Sequence, residues 1–259
     1  MKRQGRLFAI MITCMISLVL LACMSSQTVL ADSYTSTTMR LLRFEGTVEI
    51  EDASGKPRAV MENARLSSGE SMKTAAASSA SVGLDEGRIV TLDEKSRVEF
   101  KKQDGAVAMN LTEGKIFLDV SEKLGANETM DITTATMAIG IRGTIVYVSS
   151  EPVTDETAAG MESVDLKGLA PEKGHIVSIS QIGVLEGTAQ ITYTDNSNRQ
   201  QSVAVEAGKK ATVPEYSEDA EGIPEPAVSE LTKEDIEDFL RRNVVPEHSA
   251  ISIIRPRKA

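Results

Sequence analysis

From about Thr38 to Val213 the sequence runs in short alternating stretches, such as Thr47-Val48-Glu49-Ile50 and Arg97-Val98-Glu99-Phe100. Turn signals interrupt them roughly every eight to twelve residues. A period of two puts one face of a strand in a core and the other in water. Many such strands in succession predict an all-β domain. Asp85-Glu86-Gly87 between Val82-Gly83-Leu84 and Arg88–Leu92 predicts a hairpin, as does Gln103-Asp104-Gly105 between Arg97–Phe100 and Val107–Leu111. Further strands are expected at Leu42–Phe44, Lys115–Val120, Met130–Thr133, Ile141–Val148, Ile176–Leu185, Thr188–Thr194 and Ser202–Glu206.

One local pattern recurs. Glu45-Gly46-Thr47-Val48, Glu113-Gly114-Lys115-Ile116 and Glu186-Gly187-Thr188-Ala189 each place Glu-Gly before an alternating strand. The copies lie about 68 and 73 residues apart, too unequal for a tight repeat protein. A Gly there supplies a bulge or a positive φ that starts a new strand. The pattern predicts corners of one β-coil, built by turn chemistry rather than by a row of Glu ligands.

The first thirty residues read as an address. Lys2, Arg3 and Arg6 precede an uncharged apolar run from Leu7 to Met24, and Val29-Leu30-Ala31 suits a signal peptidase cutting after Ala31. Residues 1–31 are therefore expected to be a signal peptide. Two alternatives stand beside it: Leu20-Leu21-Ala22-Cys23 is a loose lipobox that would lipidate Cys23, and a run of about 18 apolar residues reaches the lower limit of a membrane anchor. Cys14 and Cys23 are the only cysteines, so cleavage after Ala31 leaves neither a thiol nor a disulfide. That usage fits a bacterial envelope better than a disulfide-rich extracellular space.

Charge and composition exclude several classes. The chain has 28 Lys and Arg against 38 Asp and Glu, a net charge of −10, and loss of Lys2, Arg3 and Arg6 takes it to −13. Nucleic-acid binding calls for a basic face, so no nucleic-acid partner is expected. Two His and two Cys are too few for a zinc, haem or disulfide framework, and no cofactor is expected.

Two acidic stretches interrupt the β pattern. Residues 151–173 carry six acids with little periodicity and read as a flexible surface insertion. Residues 214–228 carry five acids and three prolines and read as a linker leaving the domain. Residues 229–259 hold one helix and a basic tail with Arg255, Arg257 and Lys258. Thr232 and Asp235 form a capping box, Leu231 and Ile236 a staple, and Ile236, Phe239 and Leu240 a narrow apolar face. About ten residues are marginal as an isolated helix, so this one needs a surface: its own β-domain or a partner.

No catalytic constellation is expected. His175 reads as a strand-start residue, and His248 lies 73 positions away. Asp85-Glu86 and Asp93-Glu94 fall where turns are expected, and Asp195-Asn196-Ser197-Asn198 reads as a hairpin loop without the Gly and distal Glu of a calcium loop. The odd motif is Ala138-Ile139-Gly140-Ile141-Arg142-Gly143-Thr144. An Arg inside an apolar run is costly unless paired. Arg142 either receives a carboxylate or phosphate ligand or serves structure, snorkelling or pairing with an acid while the glycines allow a tight corner; the structural role is expected.

In these residues the chain resembles the FecR domain family. Leu66–Thr74, the Val82–Leu92 hairpin, Glu113–Ile116, the Gly140-Ile141-Arg142-Gly143-Thr144 corner, Val184–Gly187 and Ala207-Gly208 follow the order typical of that family, from about Leu41 to Val213. The resemblance implies an extracytoplasmic β-coil, solenoid-like or double-stranded-helix-like, used for sensing or binding. Its best-known members relay ferric citrate signals to an anti-sigma region in the cytoplasm. This chain departs from that plan, because a retained anchor at residues 7–24 would leave only six residues inside.

The expected function is that of a non-enzymatic, secreted or envelope-associated FecR-like binding domain. Its partner would be an unassigned envelope protein or polysaccharide, and it would meet the membrane only through a retained anchor or a lipidated Cys23. The alternative is an envelope sensor that acts on sigma-factor regulation through a partner. Gly140, Arg142, Gly143 and Thr144 are the signature residues to locate.

Overall fold

A computed structural model describes residues 39–85, 87–103, 106–120, 124–125, 128–154, 168–195 and 198–242. The expected signal peptide, Cys23, the centre of the 151–173 insertion, His248 and the basic tail lie outside them.

Among the described residues the protein is all-β with one short helix. Its strands do not simply hairpin back within one layer. Most run through one layer, bend, and continue in a second. β1 (Arg40–Glu45) bends at Gly46 into β2 (Val48–Glu51), which pairs with the short β3 (Pro57–Arg58). β4 (Glu70–Thr74) continues through Ala75–Ser78 into β5 (Ser79–Asp85). β6 (Arg88–Leu92) continues through Asp93–Ser96 into β7 (Arg97–Gln103). β8 (Ala106–Val120) spans both layers as one strand bent at Gly114.

After β9 (Thr129–Thr133), β10 (Met137–Ile141) turns at Arg142–Thr144 into β11 (Ile145–Pro152). β12 (Ile176–Glu186) bends at Gly187 into β13 (Thr188–Thr194). β14 (Gln200–Glu206) turns at Ala207-Gly208 into β15 (Lys209–Tyr216), and β16 (Ala227–Glu230) adds at its edge before helix α1 (Lys233–Arg242).

One layer therefore reads β1, β5, β6, the C-terminal half of β8, β11, β12, β15, β16. The other reads β3, β2, β4, β7, the N-terminal half of β8, β9, β10, β13, β14. Every pairing is antiparallel except β8 with β9. Leu41, Val82, Leu118, Val148 and Ile182 of the first layer share one core with Ile50, Met72, Phe100, Met109 and Ile191 of the second. The resulting sheet is open. The solenoid or double-stranded helix expected from the family is not what the pairing gives, because successive bent strands form an antiparallel meander whose end strands stay unjoined.

The Glu-Gly repeats do mark corners, but in two rows. Gly46, Ala75–Ser78, Asp93–Ser96 and Gly114 join the layers at one end. Because Ile145 pairs with Asp119 and Ser150 with Gly114, the Arg142–Thr144 corner falls at the opposite end, together with Gly187 and Gly208. The first half of the molecule is thus closed at one end and the second half at the other. This also splits the strand expected over Ile141–Val148, which turns between layers at its third residue.

Each Glu-Gly corner packs into its neighbour's corner. A Cβ on Gly46 would lie 2.3 Å from Ser78 Oγ, one on Gly114 2.4 Å from the Ser96 Cα, and one on Gly187 2.7 Å from the Gly143 carbonyl. All three have φ between 73° and 90°, where a side chain is strained in any case. The close approach is used: Ser78 Oγ accepts the Thr47 N–H at 2.9 Å, and Ser96 Oγ accepts the Lys115 N–H at 3.0 Å.

The segment expected as a departing linker stays on the domain. Residues 214–216 finish β15, and Ser217 N–H reaches the His175 carbonyl at 2.9 Å. Glu221 exchanges backbone hydrogen bonds with Lys173, and the chain then returns as β16. Here backbone pairing outweighs the composition of the stretch.

The helix docks on its own β-domain. Asp235 N–H donates to Thr232 Oγ1 at 3.1 Å while Thr232 N–H donates to Asp235 Oδ2 at 2.8 Å, the reciprocal capping box. Phe239 is fully buried against Phe117, Ile145 and Tyr147 on the outer face of the first layer. Tyr147 lies over Gly183, where a Cβ would come within 2.2 Å of its ring. Lys115 Nζ sits 4.7 Å above the Tyr147 ring and bonds Asp238 at 2.6 Å, and the buried Lys210 reaches Asp235 at 3.1 Å.

Candidate functional site

The signature residues form a turn, not a pocket. Gly140 is the next-to-last residue of β10 and pairs with Asp131, with a Cβ position 3.9 Å from its carboxylate. Arg142 is exposed, so the apolar run that made it look costly does not enclose it: the chain leaves one layer at Ile141 and enters the other at Ile145. Gly143 takes φ 67°. Thr144 is 1% exposed, and its carbonyl accepts the Val120 N–H at 3.1 Å. Its Oγ1 has no hydrogen-bond partner among the described residues. The motif supplies a tight corner against Gly187, and the acid partner considered for Arg142 does not figure in it.

The acidic turn at Asp93-Glu94 is built into the corner row. Glu94 Oε2 accepts the Ala77 N–H at 2.6 Å, and Asp93 Oδ1 accepts the Glu94 N–H at 2.8 Å. Glu94 thus fastens its corner to the Ala75–Ser78 corner, while Asp93 braces its own turn. Asp195 performs the same service in the β13–β14 loop, accepting Arg199 N–H at 2.9 Å and Gln201 Nε2–H at 2.8 Å. Its carboxylate also pairs with the Arg199 guanidinium at 3.0 Å. His175 is exposed at the start of β12, as expected of a strand-start residue. Among the described residues no group of His, Cys, Asp and Glu could hold a metal ion.

A cleft follows from the two corner rows. The second half of the sandwich is joined at the Gly187 end, so at the other end β13 and β14 are joined only within their own layer and not to β15. There the layers part over a cleft of about 430 Å³. Tyr193, Val203, Val213 and Pro214 line it from the strands. Ile223, Pro224, Glu225 and Pro226 line it from the acidic segment, and Asp195, Arg199 and Gln201 border it. Tyr193 and Val203 also pack against the main core, so the floor of the cleft is continuous with it.

Two carboxylates, Asp195 and Glu225, and one guanidinium, Arg199, border the cleft. Burial raises the Tyr193 phenol above its ordinary value, and the Glu225 and Asp195 carboxylates push it further in the same direction. Burial likewise raises Tyr216, whose hydroxyl donates to the Leu169 carbonyl at 2.9 Å and ties the cleft to the segment before β12. Composition hides this site, because Pro214 and residues 223–226 read as part of a linker. The usable signal was the pair of tyrosines, Tyr193 and Tyr216, close to three prolines in a chain with only four tyrosines.

Residues 70–161 match the family model described as FecR protein. No curated protein matches the sequence. Two crystal structures of a candidate anti-sigma factor from Parabacteroides distasonis align with this chain at 10% identity, with TM-scores of 0.45 and 0.46. The alignments cover 66% and 71% of this chain, and 64% and 70% of the other. In the first, this chain spans less than two thirds of the compared protein.

Proposed function

From the premise that this chain carries a FecR domain, matched at residues 70–161, we propose that it works outside the cytoplasm as a non-enzymatic interaction module of a signalling system. The domain match is the observation that carries this reading. The N-terminal address supports export, since Lys2, Arg3 and Arg6 precede an apolar run that ends before Val29-Leu30-Ala31. The signature corner supports a structural rather than catalytic role for Gly140–Thr144, and His175 does not line the cleft.

A second reading makes the chain an envelope sensor that reaches a sigma factor through a membrane partner. It draws on the same domain match and differs in what the bound partner does next.

Fractionation with intact mass tests the proposal. The expected result is a chain beginning at Asp32, outside the cytoplasm and accessible to added protease in whole cells. A chain that retains Met1 and stays in the cytoplasmic fraction would overturn it. Deleting the chain and measuring transcripts separates the two readings: loss of a sigma-factor-dependent response favours the sensor.

A further inference from the structure

β14 is the last strand of its layer. β13 takes one of its edges through seven paired residues, Thr188–Thr194 with Gln200–Glu206, and among the described residues no strand takes the other. An unpaired edge presents a row of N–H and C=O groups that water satisfies until another backbone arrives. Edges of this kind are ordinarily blunted by Lys, Pro or a bulge. β14 has none of these: its sequence is Gln-Gln-Ser-Val-Ala-Val-Glu, and its register with β13 is unbroken.

The same strand forms a wall of the cleft. Alternation turns Gln201 and Val203 toward it and leaves Gln200, Ser202 and Ala204 exposed. A strand added beside β14 would follow the same alternation, laying every second side chain over the apolar floor of Tyr193, Val203 and Val213. Above the floor stands the exposed carboxylate of Glu225, in a segment, 214–228, that carries five acids and no base.

We propose that the free edge of β14 and the adjoining cleft receive an extended segment of a partner protein, which adds as a strand and offers apolar side chains to the cleft and Lys or Arg to Glu225. The proposal rests on the reading of the chain as an interaction module and names the chemistry of its partner. A protein segment fits better than a polysaccharide because the vacant edge repeats donors and acceptors at the spacing of another β-backbone.

The probe is an acetylated, amidated (Val-Lys)4 peptide titrated into the isotopically labelled mature chain and followed by NMR. Shifts are expected at Tyr193, at Gln200–Glu206 and at 223–226, with new amide protection along β14. N-methylating alternate amides on one edge of the peptide should weaken binding about tenfold or more, and methylating the other edge should not, since only one edge faces β14. Glu225→Lys should weaken (Val-Lys)4 about fivefold at low salt while leaving the melting temperature unchanged. Octalysine should not produce the β14 protection.

The proposal is overturned if (Val-Lys)4 does not bind, if both methylated peptides bind alike, or if octalysine or a chitosan oligomer reproduces the β14 shifts. Any of these would leave the fractionation result standing, so failure here is distinct from failure of the broader reading.

Discussion

Ser96 occupies the place where a side chain on Gly114 would go: a Cβ there would come within 2.4 Å of both its Cα and its Oγ. The serine hydroxyl takes the N–H of the next residue, Lys115, and donates to the Lys115 carbonyl at 3.0 Å. The corner of β8 and the corner between β6 and β7 are thereby a single fitted joint. Gly208 has a similar φ of 85°, but nothing lies within 4 Å of its Cβ position.

The two glycines therefore separate two costs. Gly208→Ala should lose about 1–2 kcal/mol, the backbone strain alone. Gly114→Ala should lose about 3 kcal/mol or more, because displacement of Ser96 adds to the strain. Urea unfolding of the two variants checks this; equal losses would mean that the joint yields freely.

Arg142→Ala should leave stability within about 0.5 kcal/mol of the parent, as for other exposed substitutions away from special features. The apolar run around Arg142 implies a costly enclosed charge, and its exposure removes that cost. A loss above about 1 kcal/mol in thermal or chemical unfolding would show that the guanidinium supports the corner after all.

Phe239→Ala should destabilise the protein by about 3–5 kcal/mol, the range for emptying a fully buried aromatic site. Phe239 meets Phe117 edge-on, with centroids 5.4 Å apart, and is the main apolar anchor of α1. Hydrogen exchange should show the amides of α1 losing protection before those of β8 and β11. Simultaneous loss across the domain would mean that the helix and sheet unfold as one unit.

Asp235 predicts a pH dependence. Burial pushes its carboxyl up, but the hydrogen bonds from Thr232 and Lys210 outweigh that and hold it below its ordinary value. A folded-state pKa below the unfolded one, about 3.9, contributes stability above that value that is lost as pH falls through the folded pKa. Tyr147 Oη also donates to this carboxylate at 3.0 Å. Asp235→Asn should therefore lower stability at neutral pH and flatten the acid limb of the stability curve below about pH 4. An unchanged acid limb would place the titration elsewhere.

Much of this architecture was legible because its causes are local. The period-two stretches, the Asp85–Gly87 hairpin, the Glu-Gly corners and the Thr232–Asp235 capping box each depend on residues near one another in sequence. Others depend on pairing between distant segments. β4 holds a single apolar residue, Met72, and forms because Glu70–Lys73 meets Phe100–Arg97 across the layer. β16 exists because Lys209–Thr212 offers it an edge. Arg142 looked buried because a corner between layers interrupts an apolar run without any change in its hydropathy. The cleft was hidden for a related reason: its walls come from β13, β14, β15 and a proline segment that composition assigns to solvent.

Every bent strand pairs with the one that follows it in the sequence, and β8 is the strand both halves share. Synthesis order is therefore pairing order. A nascent chain can assemble residues 40–103 into bent pairs before β8 exists, and β8 then seals that half while presenting a ready template to β9 and β11. No early strand must wait with its partner still unmade at the far end of the chain, which keeps loop-closure entropy low for a fold built almost wholly of sheet.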